Sequence, residues 1–204
     1  MEWTPMEINP ELMSKVGVGE GWRFVDVLGL EAEQLSAVPK PCCALMLLFP
    51  ITKEHDSFRQ KQADKVMRGS DAYFLKQTAT NSCGTIALLH ALGNNQSKLT
   101  FESASVLKKF LDETAKMSAD DRAKHLDKNK AIHDAHNEVA AQGQCRVTDK
   151  VNFHFIAFVN VNGQLLEFGE ENLTLFSDAA KVCRGFVERG LGEVRFSAVA
   201  LCRG

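Results

Sequence analysis

The 204-residue chain carries 24 Lys and Arg against 26 Asp and Glu, a formal charge of −2, with 45% hydrophobic and 25% charged residues. That length suits one domain over 1–204 with a sizeable core, and the charge balance lacks the basic excess of a nucleic-acid binder. The opening MEWTPMEINPEL puts acids and prolines where a secretory signal needs a basic start and an apolar run, and no segment reaches the roughly 18 apolar residues of a membrane span. A cytoplasmic, reducing location is therefore expected, with no membrane partner and thiols in place of disulfides.

In chain order, a short helix is expected over 10–16 and a strand over 22–27. Pro39 and Pro41 bracket the start of an apolar strand, 42–49, which Pro50 closes. A polar helix follows over 53–67, and the turn-like RGSDA leads to an extended piece at 73–77. A helix starts at Asn81 or Ser82 and runs to Leu92, where Gly93-Asn94-Asn95 stops it. Another helix is expected over 103–117, then a long one, capped by Ser118, that continues to Ala141. VNFHFIAFVNV (151–161) and QLLEF (164–168) flank Asn162-Gly163, the strongest short hairpin signal. A helix over 177–189 and a strand over 193–202 end the chain. The pattern is that of one α/β or α+β domain without repeats or linkers.

Six cysteines (42, 43, 83, 145, 183, 202) show no CxxC pair and no zinc-type spacing. Those in CCALMLLF and Cys183 fit core packing. Cys83 stands apart. In QTATNSCGTIALLHAL it falls in the first turn of an apolar helix, after two good N-cap residues. Unpaired N–H groups and the helix dipole at that position favour a thiolate. Gly84 leaves room for a carbonyl to approach the backbone, and Gln77, six residues upstream, offers an amide donor suited to an oxyanion.

Such a thiol needs a base, and six histidines compete. His55 and His125 lie in polar stretches and are expected to be solvated. His90, two turns beyond Cys83, suits a local packing or capping role. His133 and His136 form an H-x-x-H pair with no convincing third ligand, so no metal site is expected. His154 interrupts an apolar strand on the face of Ile156 and Phe158. It is either a hydrogen-bonded core histidine or the base.

The stretches PMEINPE, WRFVDVLGL, Lys76–Thr78 with Asn81–Thr85, MSADDRAKHL, DKVNFHFIAFVNVNGQL and GEVRFSAVAL resemble, in order along nearly the whole chain, the ubiquitin C-terminal hydrolases. The resemblance implies a papain-like fold with a central antiparallel sheet flanked by helices and a knotted backbone. It implies a thiol-dependent deubiquitinating hydrolase, without cofactor, acting on small adducts of ubiquitin's C-terminal glycine. Gln77 would be the oxyanion donor, Cys83 the nucleophile and His154 the general acid/base. Residues 141–150 would cross over the active site, and Asp26 would help to hold ubiquitin.

The chain departs from the family in three ways. About three residues are lacking around ELMSKVGVG, and only Arg203 and Gly204 follow Cys202, so no CaaX prenylation signal is expected. The family's orienting aspartate should stand fifteen residues after the histidine, but that place is Gly169, and roughly fifteen further residues are missing after it. With Asn162-Gly163 as a two-residue turn, paired positions sum to 325, so His154 faces position 171 and position 169 is its diagonal neighbour. Glu171 is then the surrogate carboxylate, unless it is solvated. The expected rival to a slow enzyme is a ubiquitin-binding protein of the same fold with weak or no catalysis.

Overall fold

The computed structural model describes residues 2–7, 9–10, 17–50, 52–62, 66–67, 71–143, 153–169, 173–176, 178–189 and 196–204. Their strands are β1 (Trp22–Asp26), β2 (Cys42–Pro50), β3 (Val66–Met67), β4 (Phe153–Val161), β5 (Gln164–Phe168), β6 (Leu173–Phe176) and β7 (Ser197–Arg203). The helices are α1 (Ala32–Ser36), α2 (Lys53–Gln60), α3 (Cys83–Gly93), α4 (Val106–Thr114), α5 (Ala119–Asp127), α6 (Lys130–Ala141) and α7 (Ala179–Arg189).

The strands form one antiparallel sheet ordered β1-β7-β2-β4-β5-β6-β3, in which β6 and β3 are short. The first and last strands are neighbours. Alternation along β2 and β4 splits the core into two layers. Met46, Phe155, Ala157 and Val159 face α3, with α4, α5 and α6 packed beyond it. Leu47, Phe49, Ile156 and Phe158 face α7, against Cys183 and Phe186, with Phe58 of α2 alongside. The architecture is a mixed α/β sandwich whose central sheet is covered on both sides.

The hairpin forms in the expected register. Asn162 and Gly163 take φ of 53° and 83°, which suits a two-residue turn with both central residues left-handed. Val161 then pairs with Gln164 and Ala157 with Phe168.

Several expected elements differ. The polar helix stops at Gln60, and Val66–Met67 joins the sheet edge against β6. The long helix to Ala141 is two, because Asn129 caps a fresh start with its side chain accepting from Ile132 N. Ser118 caps α5 as expected, accepting from Asp121 N at 3.1 Å. Among the described residues no helix is long and apolar enough to cross a membrane. The expected helix over 10–16 lies almost wholly outside the described residues.

Candidate functional site

Cys83 is the first residue of α3, whose next nine residues are all buried. The turn that presents it is tied to one carbonyl. Ala79 O accepts from Ser82 Oγ at 2.7 Å and from Gln77 Nε2 at 3.3 Å. Asn81 holds a left-handed φ of 65° and donates its amide to Trp3 O at 3.1 Å, docking the N-terminal segment beside the turn. Ser82 thus bonds backward and makes no side-chain cap. The expected capping is absent, and the helix start keeps its N–H groups from that hydroxyl. Cys83 itself is partly exposed.

Gln77 is placed by the far end of the same helix. His90 Nε2 lies 3.2 Å from Leu75 N and 3.1 Å from Leu75 O. Asn94 accepts from Tyr73 N at 2.7 Å and donates to Tyr73 O at 2.9 Å. One helix therefore fixes both the Cys83 backbone and the extended segment that ends at Gln77. An amide nitrogen carries two N–H bonds, and the Ala79 contact uses one of them. Burial pushes His90 down to about 3, so it is a neutral packing residue.

Gly84 serves a different purpose from the one expected. It is buried, and a Cβ there would meet the Met6 side chain and come within 3.2 Å of Phe155. The glycine permits α3 to lie close on β4; it does not hold space for a substrate. Cys83 and His154 are the chain neighbours of these two contacting residues, on α3 and β4. His154 follows the pleat of Ile156 and Phe158, partly exposed, with its ring centroid 6.4 Å from that of Phe49.

Beneath Phe49 lies a network with no counterpart among the sequence expectations. His55, expected in solvent, is 6% exposed. It packs at 4.6 Å from Phe49 and 4.8 Å from Phe186, and accepts from Arg59 Nε at 3.2 Å. Arg59 also pairs with Glu167 at 2.6 Å, a carboxylate only 2% exposed. At Gly169 a Cβ would stand 2.6 Å from Arg59 Nη1. A guanidinium therefore covers the position where an aspartate was expected. One signal could have revealed it: the register that pairs Glu167 with Phe158 turns that glutamate inward, and an inward carboxylate requires a cation.

The remaining residues are accounted for as follows. His136 lies 2.8 Å from Thr85 Oγ1 through Nδ1 and 2.7 Å from Thr4 O through Nε2, so its ring links the first turn of α3 to the N-terminal segment. His125 is partly exposed beside Glu113 at 3.1 Å. Asp26 is exposed at the end of β1. Burial raises the thiols of Cys43, to about 12, and of Cys183, where the Glu167 charge adds to it. Glu171, Cys145 and residues 144–150 of the expected crossover lie outside the described residues.

The family model described as ubiquitin carboxyl-terminal hydrolase, family 1, matches residues 3–172. The chain is 57% identical to ubiquitin carboxyl-terminal hydrolase isozyme L1 of Homo sapiens over 222 positions, covering 100% of this chain and 99% of that one. The isozyme L1 of Mus musculus is 56% identical with the same coverage. With 204 residues spread over 222 positions, eighteen positions are empty in this chain, the total that the two expected shortenings require. In structure, the chain is similar to the UCH37 catalytic domain of Trichinella spiralis bound to ubiquitin vinyl methyl ester. The TM-score is 0.77 at 20% identity, covering 100% of this chain and 96% of that one. On the family match and the full-length relatives together, the chain belongs to family 1 of the ubiquitin carboxyl-terminal hydrolases, which are thiol-dependent deubiquitinating enzymes.

Proposed function

We propose that this chain, as a single cytoplasmic domain, releases small adducts from the C-terminal glycine of ubiquitin, with Cys83 as nucleophile and His154 as general acid and base. The observation that supports this reading is the close contact of Gly84 with the Phe155 ring, since these two residues are the chain neighbours of Cys83 and His154. Cys83, as thiolate, attacks the carbonyl of the terminal glycine. Gln77 and the Cys83 backbone N–H hold the oxyanion, and imidazolium at His154 protonates the departing amine or thiol. His154 then takes a proton from water, which releases ubiquitin from the thioester. Asp26, exposed at the sheet edge, contributes to the surface that holds ubiquitin. The papain-like arrangement and a knotted backbone belong to the same proposal. Turnover of a ubiquitin C-terminal amide tests it, with Cys83→Ala as the inactive control.

A second reading has its own support. Arg59 stands against Gly169 where an orienting carboxylate is expected, which favours a ubiquitin-binding protein with weak or no catalysis. The two differ in turnover alone. Undiminished ubiquitin binding with no turnover above the Cys83→Ala background selects the second.

A further inference from the structure

Two cysteines outside the catalytic site stand side by side across the β2–β7 seam. Cys42 and Cys202 are direct partners in the antiparallel register. Arg203 N donates to Pro41 O at 3.0 Å, so residues 41 and 203 occupy the hydrogen-bonded position next to them. The register shifts by a β-bulge just beyond this pair, between Cys42 and Ala44. Directly opposed residues of an antiparallel pair lie about 4.5–5.5 Å apart at Cα, inside the range a disulfide spans. The sulfurs lie 3.2 Å apart, so they need to close by roughly 1 Å to reach bonding distance.

Their surroundings differ in a way that orders the chemistry. Cys42 is exposed, whereas Cys202 is fully buried. The hydrogen-bonding contact with Cys202, helped by the Lys40 charge, holds the Cys42 thiol below its usual range; the same contact and burial raise Cys202. The accessible sulfur is thus the better thiolate, and its partner waits behind it with the proton.

We propose that Cys42 and Cys202 form a cross-strand disulfide on exposure to a peroxide, an oxidation-responsive staple distinct from the catalytic thiol. The Cys42 thiolate attacks a peroxide oxygen, the O–O bond breaks, and with hydrogen peroxide a sulfenic acid and one water result. Cys202 sulfur then attacks the sulfenic sulfur; the S–S bond forms, the S–O bond breaks, and a second water leaves with the Cys202 proton. Two thiols are oxidised and one peroxide is reduced. The staple joins residues 160 apart in sequence, and fastens the last strand to β2.

The test uses the full chain, treated with limiting hydrogen peroxide, alkylated, and digested without reductant. Mass spectrometry should find the Cys42 peptide joined to the Cys202 peptide, released by dithiothreitol. The oxidised protein should melt higher by on the order of 10 °C, the effect of closing so long a span in a domain of this size. Cys42→Ser should abolish both the link and the shift. Cys42 driven to sulfinic acid, linked to Cys43 or linked to another chain, with Cys202 still alkylated, would overturn the proposal. So would an equal melting shift in Cys42→Ser.

Discussion

Replacing Gly169 by aspartate probes stability and chemistry together. The new Cβ would stand 2.6 Å from Arg59 Nη1, with Cζ and Nη2 both at 3.3 Å, so the guanidinium must shift. Arg59 is 32% exposed at its side chain and can move outward, but Glu167, at 2%, cannot follow. One guanidinium would then serve two carboxylates. Stripping a buried charge of its partner costs about 3–5 kcal/mol, and sharing the partner loses part of that, about 2 kcal/mol. For a domain of this size the melting temperature should fall by about 4–8 °C. Adding Glu167→Gln removes the competing charge, so the double variant should recover most of the loss. Thermal unfolding of the wild type, both single variants and the double variant measures the coupling directly. Turnover reports the other half. Position 169 shares the pleat face of His154, so the added carboxylate should orient the imidazole and raise turnover about tenfold, a fraction of what an orienting aspartate contributes in serine proteases. Strictly additive stabilities would refute the placement of Arg59 over Gly169. Unchanged turnover would show that no carboxylate at this position is needed.

Other expectations follow from the same contacts. Gln77→Ala should lower kcat by roughly a hundredfold or more with little change in ubiquitin affinity, as loss of one oxyanion donor does; steady-state kinetics and binding on the same samples separate the two. Burial lowers His90 from 6.5 to about 3, so the unfolded chain takes up a proton between those values that the folded chain does not. Stability from this group is complete above 6.5 and falls with acid by up to about 1.4 kcal/mol per pH unit; urea unfolding of His90→Gln should show a shallower acid slope than the wild type. A crossover formed by residues 141–150, which the family resemblance implies, would be too short to pass a folded leaving group, and on that proposal peptide or thiol adducts of ubiquitin should be cleaved and ubiquitin dimers left intact. A Gly/Ser insertion after Gly143 should relax the limit, and equal rates on both substrates in the wild type would dismiss the gate.

The legible parts of this molecule are those where one local signal decides. Asn162-Gly163 accepts positive φ at both positions, so the turn, the register and the inward faces of β4 and β5 all follow from those two residues and the alternation around them. The apolar strand from Cys42 and the helix opened by Cys83 are equally plain. Where two signals compete, local pattern cannot choose between them. Residues 118–141 carry one helical pattern, yet Asn129 prefers to cap and divides it. Val66–Met67 is strand only because β6 lies beside it, a contact with no trace in local composition. His55 looks solvated among Lys53, Glu54 and Asp56, but its ring is turned inward onto Phe49 and Phe186. At the site, Gln77, Cys83 and His154 are proposed from the family resemblance. The guanidinium over Gly169 is not, because it depends on how a helix crosses a strand more than a hundred residues away in the chain.

The assignment of Cys83 as nucleophile is tested most directly by a full-length ubiquitin carrying a C-terminal electrophile, followed by peptide mapping of the adduct. A single ubiquitin should attach to Cys83, and Cys83→Ala should remain unmodified while still binding ubiquitin. The exposed Cys42 offers a built-in control, since a small alkylating agent reaches it without any recognition of ubiquitin. An adduct mapped to Cys42, Cys145 or Cys183, or equal labelling of Cys83→Ala, would contradict the assignment.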